Sequence, residues 1–254
     1  MIDIHCHILP GLDDGPNNMY ECREMVNFAV KSGIKHLFAT PHHRNGQYEN
    51  VKNKIMNQVA ELNELLLKDR IPLTIHPGQE LRIHREIFAS LAMDEILTLD
   101  NSGKYLLLEL PSGEVPSYTR EVVYELLVRG IVPIIAHPER NREIIRNHDL
   151  LFELVEDGAV TQITAGSIIG QFGKKIKSFS EKIIEHKMAH FIASDAHNVG
   201  SRGFVLREAY DVITKKFGVQ RTFYFQENAE LLAANQSLSR EKPIPIRKKI
   251  LGIF

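Results

Sequence analysis

The sequence predicts an α/β fold: a parallel sheet of about seven strands wound with helices, close to a barrel. Three observations predict it. Short β-branched or aliphatic runs alternate with amphipathic stretches along the 254 residues. The connections are short and punctuated by glycine, as right-handed crossovers between parallel strands require. Six of the runs carry a histidine or a carboxylate within them or just past them, at the face where barrel enzymes keep their chemistry. They read IDIHCH (Ile2 to His7), KHLFATPH (Lys35 to His42), LTIHPGQE (Leu73 to Glu80), YLLLEL (Tyr105 to Leu110), VPIIAHPER (Val132 to Arg140) and HFIASDAH (His190 to His197).

After the first run comes a polar turn, LPGLDDGPNN. A helix is predicted from Met19 to Lys31, with Met19, Cys22, Met25, Val26, Ala29 and Val30 at helical spacing, and Gly33 ends it. The second strand follows. Val51 to Leu67 is a longer amphipathic helix, apolar at Val51, Ile55, Val59, Leu62, Leu65 and Leu66. Pro72 to Ile75 is strand-like. Tyr118 to Val128 is helical and closed by Gly130; Val132 to Ala136 is a strand. Leu150 to Val155 is helical, Ala159 to Thr164 extended, Ile176 to His186 helical and Phe191 to Ser194 extended. Phe204 to Lys216 is the last long helix predicted. No linker or repeat interrupts the pattern, so residues 1–254 are expected to form one domain. The stretch 239–254 is a basic and apolar tail with Arg240, Lys242, Arg247, Lys248 and Lys249. It is expected to be a solvated or surface-docked terminus rather than a partner-binding arm.

A hydrophobic share of 43% with 25% charged residues predicts a folded core. A net charge of −1 argues against a broad basic field for nucleic acid. Two cysteines make neither a metal finger nor a disulfide framework. No signal-like amino terminus and no membrane-length apolar run is visible, so a cytoplasmic protein without membrane insertion is expected.

His5 and His7 sit at i and i+2 of a strand, so both imidazoles face one side and can reach one ion. Alone, H-x-H is a weak signal that a polar-faced strand also produces. Asp14 in the following turn adds weight, and Asp195 with His197 repeats the spacing past a later strand. His42, Glu80, Glu109 and His137 complete the candidate ligands. Histidine suits Zn, Mn, Fe, Co and Ni, while carboxylates favour harder ions and can bridge two. Glu109 follows three leucines, where a lone buried carboxylate is costly without a cation. The bland alternative is an edge-strand glutamate facing water, but the leucines argue for a covered central strand. Spacing does not separate His42 from His43, or Asp14 from Asp13. His36, His76, His84 and His190 are expected to be structural or surface residues.

Arg140 and Arg202 lie just beyond strand-end ligands. Were three divalent ions bound, their charge would exceed that of the four carboxylates, and the arginines would add two more. So positive a site prefers a dianionic phosphate to a neutral amide, and the arginines would fork its oxygens; each is otherwise an ordinary surface charge. A thiol mechanism does not fit. Cysteine-dependent tyrosine phosphatases place an arginine six positions after the nucleophile, whereas Cys6 is followed there by Leu12 and Cys22 by Phe28. Cys6 should point away from its flanking histidines and serve packing. Neither a Walker loop nor a dinucleotide fingerprint is present.

Taken in order, H-x-H, an Asp in the next turn, a His after the second strand, two glutamates, H-P and a closing D-x-H resemble the PHP family, named for polymerase and histidinol phosphatase. The resemblance runs from His5 to at least Arg202. More narrowly, MIDIHCHILPGLDDGP, ATPHH, PGQE, LLLEL, AHPERN, QITAGSI and SDAHN are similar to manganese-dependent tyrosine-protein phosphatases of bacterial capsular and exopolysaccharide operons. H-x-H alone is nonspecific; the full ordered set is specific. The resemblance implies a distorted (β/α)7 TIM-like barrel, the PHP fold, with three divalent ions, Mn foremost and Fe, Co or Zn as alternatives. Carried over by motif, His5, His7, Glu80 and Asp195 would hold one ion. Glu80, Glu109 and His137 would hold a second, and Asp14, His42 and His197 a third. Arg140 and Arg202 match the family's phosphate-contacting arginines. The strand ending in QITAGS supplies no evident ligand, and Gln162 is placed behind the ligands. The implied activity is hydrolysis of protein phosphotyrosine through a metal-bridging hydroxide. The implied partner is a phosphotyrosine protein, foremost a cytoplasmic autophosphorylating tyrosine kinase with a tyrosine-rich tail. From Gln220 onward no motif supports transfer.

Rival functions are a histidinol-phosphate phosphatase, a nuclease, and a non-catalytic metal-stabilised scaffold. Near-neutral charge disfavours the nuclease, and two arginines beside a cationic cluster disfavour the scaffold. An amidohydrolase barrel would use a carboxylated lysine, and no lysine here follows a strand in that role.

Overall fold

The computed structural model describes residues 1–246; Arg247, Lys248 and Lys249 of the basic tail lie outside the described residues. Nine strands and ten α-helices are present among them. The chain starts with β1 (Ile2–Cys6), α1 (Met19–Lys31), β2 (His36–Ala39), β3 (His42–His43) and α2 (Lys52–Lys68). It continues with β4 (Thr74–Pro77), β5 (Glu80–Arg82), α3 (Ile87–Ala92), β6 (Tyr105–Glu109), α4 (Thr119–Val128) and β7 (Val132–Ala136). Then follow α5 (Arg142–Arg146), α6 (Asp149–Glu156), β8 (Val160–Thr164), α7 (Ala165–Ile169) and α8 (Lys174–Glu185). The last elements are β9 (Phe191–Ala193), α9 (Leu206–Phe217) and α10 (Val219–Ala233).

All strand pairs are parallel, as the alternating pattern requires. They form two sheets, β1-β2-β4 and β3-β5-β6-β7-β8-β9, and their ladders do not close into a barrel among the described residues. Two predicted strands are each broken in the middle. The second run divides at Thr40 and Pro41, where proline removes a ladder donor. The third divides at Gly78 and Gln79. A Cβ at Gly78 would stand 2.7 Å from Leu99 Cδ2 and 3.0 Å from Thr40 Cγ2, so only glycine lets the chain pass there. The register survives the break: His36 faces Thr74 and His42 faces Glu80, both 38 positions on. At the other border Cys6 bridges Ala196; Asp195 N donates to His5 O and His7 N to Ala196 O, each at 2.9 Å.

The helices form by the mechanisms the sequence signals. Asn18 caps α1 by accepting from Glu21 N at 3.0 Å, and its apolar face, Cys22, Met25, Val26 and Ala29, is buried. That face packs on β1 and β2 together with Ile55, Val59, Leu62 and Leu66 of α2. The outward residues of the larger sheet, Leu106, Leu108, Ile135, Ile163 and Ile192, pack under α4 to α9. A third cluster lies between the sheets: Ile4, Phe38, Tyr105, Leu107, Ile134, Val160 and Phe191, with Ala229 and Leu232 of α10. Phe204 to Lys216 is therefore not the last helix; α10 follows, and its residues fill this inner core. The stretch from Ser239 to Ile246 docks on the surface: Ser239 N donates to Asn228 Oδ1, Ile244 N to His186 O, and Ile246 is buried.

Candidate metal centre

The nine candidate ligands gather at the carboxyl ends of the strands. His5 and His7 come from β1 and its exit, Asp14 from the turn beyond, His42 from β3 and Glu80 from β5. Glu109 ends β6, His137 follows β7, and Asp195 and His197 follow β9. His137 and Asp195 hold left-handed backbone angles, φ 34 and 53. Such conformations cost about 1–3 kcal/mol in a non-glycine residue and concentrate at functional sites.

Two imidazole nitrogens, of His5 and His7, stand close to one oxygen each of Glu80 and Asp195. His5 Nε2 and His7 Nε2 are 3.2 Å apart. His5 Nε2 is 3.5 Å from both Glu80 Oε2 and Asp195 Oδ1, and His7 Nε2 is 3.4 Å from both. Ligands at about 2.0–2.2 Å from a shared ion have neighbours at this separation. The residues thus fit a divalent ion.

Two further groups of donors lie within 4.8 Å of one another: His7, Asp14, His42 and His197, and His42 with Glu80 and Glu109. The match to the motif-based sets is close but not complete. His42 borders both groups, and His7 adjoins the third set as well as the first. His137 reaches the other oxygen of Glu80, Nε2 to Oε1, at 2.8 Å. His42 Nδ1 lies 2.8 Å from Glu80 Oε2 and His197 Nε2 lies 3.1 Å from Asp14 Oδ1. Yet His42 Nδ1, Glu80 Oε2 and His197 Nε2 have no hydrogen-bond partner among the described residues. Buried atoms this close that do not bond to each other have lone pairs facing a common space, as cation ligands do.

Both arginines converge on the same acid. Arg140 Nη1 donates to Asp195 Oδ2 at 2.7 Å. Arg202 Nη2 donates to both oxygens of Asp195, at 3.3 and 3.2 Å, and its Nη1 to Asp14 Oδ2 at 3.2 Å. Sequence reasoning missed Arg82, whose Nε and Nη2 each stand 2.9 Å from Glu109 Oε2. A signal existed: Arg82 is two positions after Glu80 on a strand and so shares its face. Asp13 sits behind His7, and Gln162 Oε1 behind His5 Nδ1 at 2.9 Å. His43 turns the other way, its Nδ1 accepting from Asn50 N.

The electrostatics follow from burial and crowding. Burial alone would raise the Glu80 carboxyl, but His42 and His5 overcome it and hold it well below the usual range. Asp195 is likewise held well below its ordinary value, burial being outweighed by Arg140 and His5. Glu109 is pushed up to about 7, first by burial and then by the charge of Glu80, against Arg82. His137 and His197 are lowered to about 4 by burial, with Arg140 adding to the first and His7 to the second. His7 is raised well above 6.5, since Asp13 outweighs its burial.

Fold and site together define a parallel α/β protein with a cation-binding centre of histidines and carboxylates at its strand ends. The chain belongs to the family described as "Capsular polysaccharide synthesis, CpsB/CapC", which matches residues 1–233. It is 48% identical over 255 residues to tyrosine-protein phosphatase YwqE of Bacillus subtilis (strain 168), covering 100% of both chains. Over 243 residues it is 40% identical to the putative tyrosine-protein phosphatase CapC of Staphylococcus aureus, covering 96% and 95%. Among solved structures, a chain from the study of YwqE from B. subtilis and CpsB from Streptococcus pneumoniae, metal-dependent tyrosine phosphatases, superposes with a TM-score of 0.94. That chain is 47% identical, and 98% of this chain and 100% of that one are covered. Histidinol phosphate phosphatase from Lactococcus lactis shares the fold at a TM-score of 0.54 and 12% identity, over 84% and 93% of the two chains.

Proposed function

We propose that this centre hydrolyses phosphotyrosine in proteins. The chain is a metal-dependent tyrosine-protein phosphatase. The observation that carries this is the pair His5 Nε2 and His7 Nε2, 3.2 Å apart and each 3.4–3.5 Å from an oxygen of Glu80 and of Asp195, with two arginines on its rim. Three ions would be held by the three groups of donors, Mn foremost and Fe, Co or Zn as alternatives. When bound, divalent ions supply Lewis acidity and bring the pKa of a coordinated water down towards ~7.

The chain's own side chains do the rest. Arg140 uses Nη1 on Asp195, while Arg202 uses one nitrogen on Asp14 and one on Asp195. A guanidinium has five N–H donors in a fixed fork, so each retains donors for the equatorial oxygens of a phosphoryl group. Both are partly exposed and so accessible to a substrate. Charge spread over those oxygens is what such forks stabilise in phosphoryl transfer. The leaving phenol has a pKa of about 10 and departs with modest help. Gln162 and Asp13 orient His5 and His7.

The preserved register across the two sheets and the Cys6–Ala196 bridge favour one distorted (β/α)7 barrel, the PHP fold, formed as a single domain. No described helix is long and apolar enough to cross a membrane. A cytoplasmic enzyme acting on a tyrosine kinase with a phosphorylated, disordered tail suits this open site. The test is to strip the protein with a chelator, restore Mn, and assay phosphotyrosine and phosphoserine peptides. Turnover of phosphotyrosine that vanishes on stripping and returns with Mn is expected. Full activity after exhaustive demetallation would overturn the proposal.

A further inference from the structure

Beside the metal centre a cleft of about 300 Å³ runs between α1 and the loop after β9. Pro16, Tyr20, Met25 and Val199 line it, together with the buried His197 and the exposed Glu24. Tyr20 and Val199 are 74% and 48% exposed. That is unusual for large apolar groups next to a polar centre, and neither is needed by the core.

The carboxylates on this rim differ. Glu21 is spent on α1, accepting from Asn17 N at 2.8 Å and from Asn18 Nδ2 at 3.2 Å. Glu24, one turn on from Tyr20, has no hydrogen bond or ion pair among the described residues, and no Lys or Arg lines the cleft. An apolar trough that also carries an unpaired carboxylate suits a lysine or arginine side chain. The methylene stem lies on apolar walls and the cation reaches the acid. An exposed Tyr ring adds attraction for a cation over its face.

We infer that this cleft selects substrates with a basic residue close to the phosphotyrosine. The inference rests on the phosphatase reading above, because His197 ties the cleft to the phosphate-binding centre. Because the cleft opens beside His197, the basic residue lies near the phosphotyrosine along the peptide.

The experiment walks a lysine through positions either side of phosphotyrosine in an alanine-rich peptide, using the manganese-loaded full chain. Lysine at one position should raise kcat/KM by about two- to fivefold over alanine, the range of an exposed ion pair. The preference should shrink at high salt and disappear in Glu24→Gln. Tyr20→Ala should weaken it too, and both variants should hydrolyse free phosphotyrosine as the unmodified chain does. A preference that persists in Glu24→Gln, or equal rates for all peptides alongside turnover of free phosphotyrosine, would overturn this inference alone. No turnover of free phosphotyrosine or any peptide would overturn the phosphatase reading and this inference with it.

Discussion

His7 Nδ1 donates a 2.6 Å hydrogen bond to Asp13 Oδ2, and this pairing decides which nitrogen of His7 faces the centre. An ionised carboxylate only accepts, so whenever the ring is neutral its proton sits on Nδ1 and its lone pair on Nε2. Nε2 is the atom 3.4 Å from Glu80 and Asp195. Asp13 also accepts from the backbone of His42 at 2.9 Å and of Gly15 at 3.0 Å. It thereby ties the turn after β1 to β3.

Removing that charge should loosen the centre without unfolding the chain. Asp13→Asn keeps an oxygen for the backbone donors but weakens the grip on His7. Manganese affinity, measured by isothermal titration, is expected to fall by about 10- to 100-fold, as for other partners of ligating histidines. Unchanged affinity would show that Asp13 serves only the turn.

Metal affinity should also climb with pH between about 6 and 8. Glu109, pushed up to about 7 in the metal-free chain, is mostly protonated at the lower end of this window. An incoming ion must displace that proton there and need not at the upper end. His5 and His7, both raised above their ordinary value, act with the same sign. His137 and His197, at about 4, are neutral throughout and add no slope. Arg82→Ala removes the cation that opposes the rise of Glu109, so its loss of affinity should be larger at pH 6 than at pH 8. Equal losses at both would separate Glu109 from the binding step.

Arg202→Ala should weaken binding of inorganic phosphate by roughly 1.5–3 kcal/mol, the range for hydrogen bonds to charged groups. The same change leaves Asp14 with His197 and His42 as its near neighbours and leaves Asp195 with Arg140. Neither acid is stranded, so melting temperature should change little. An inhibition constant for phosphate equal to that of the unmodified chain would remove Arg202 from the phosphate site.

The strand-end candidates were legible because the parallel α/β pattern sends every strand the same way, so residues far apart in sequence meet at one face. Adjacent pairs were not legible. Pro41 breaks the ladder just before His42 and His43, and alternation counted from β2 cannot be carried across that break. Arg82 was legible as a strand neighbour of Glu80, but its pairing with Glu109, 27 positions on, was not. Helix α10 was hidden because its buried face is short and interrupted: Thr222, Phe225, Asn228, Ala229 and Leu232. Its place is set by the gap it fills. Asn228 Nδ2 donates to His190 O and Ser239 O, and Leu232 joins the inner core. Phe225→Ala, at a fully buried side chain, should cost about 3–5 kcal/mol in urea unfolding of the metal-free protein. A cost below about 1 kcal/mol would make α10 a peripheral appendage.

Cys6→Ser should keep the enzyme active. Cys6 lies between two ligands in sequence but turns into the outer core with Leu37 and Ala196, where its Sγ donates to Ala196 O at 3.4 Å. Burial pushes the thiol well above its ordinary range, and the charges of Asp3 and Asp195 push it the same way. A nucleophilic thiolate needs the reverse, a nearby cation and access to solvent. Serine can still donate to Ala196 O, so the cost is a hydroxyl in an apolar pocket, about 1–3 kcal/mol of stability. Turnover of a phosphotyrosine peptide should stay within about threefold, because no interaction specific to the transition state is removed. A folded, metal-loaded Cys6→Ser protein without activity would restore the thiol mechanism and displace the metal centre from the chemistry.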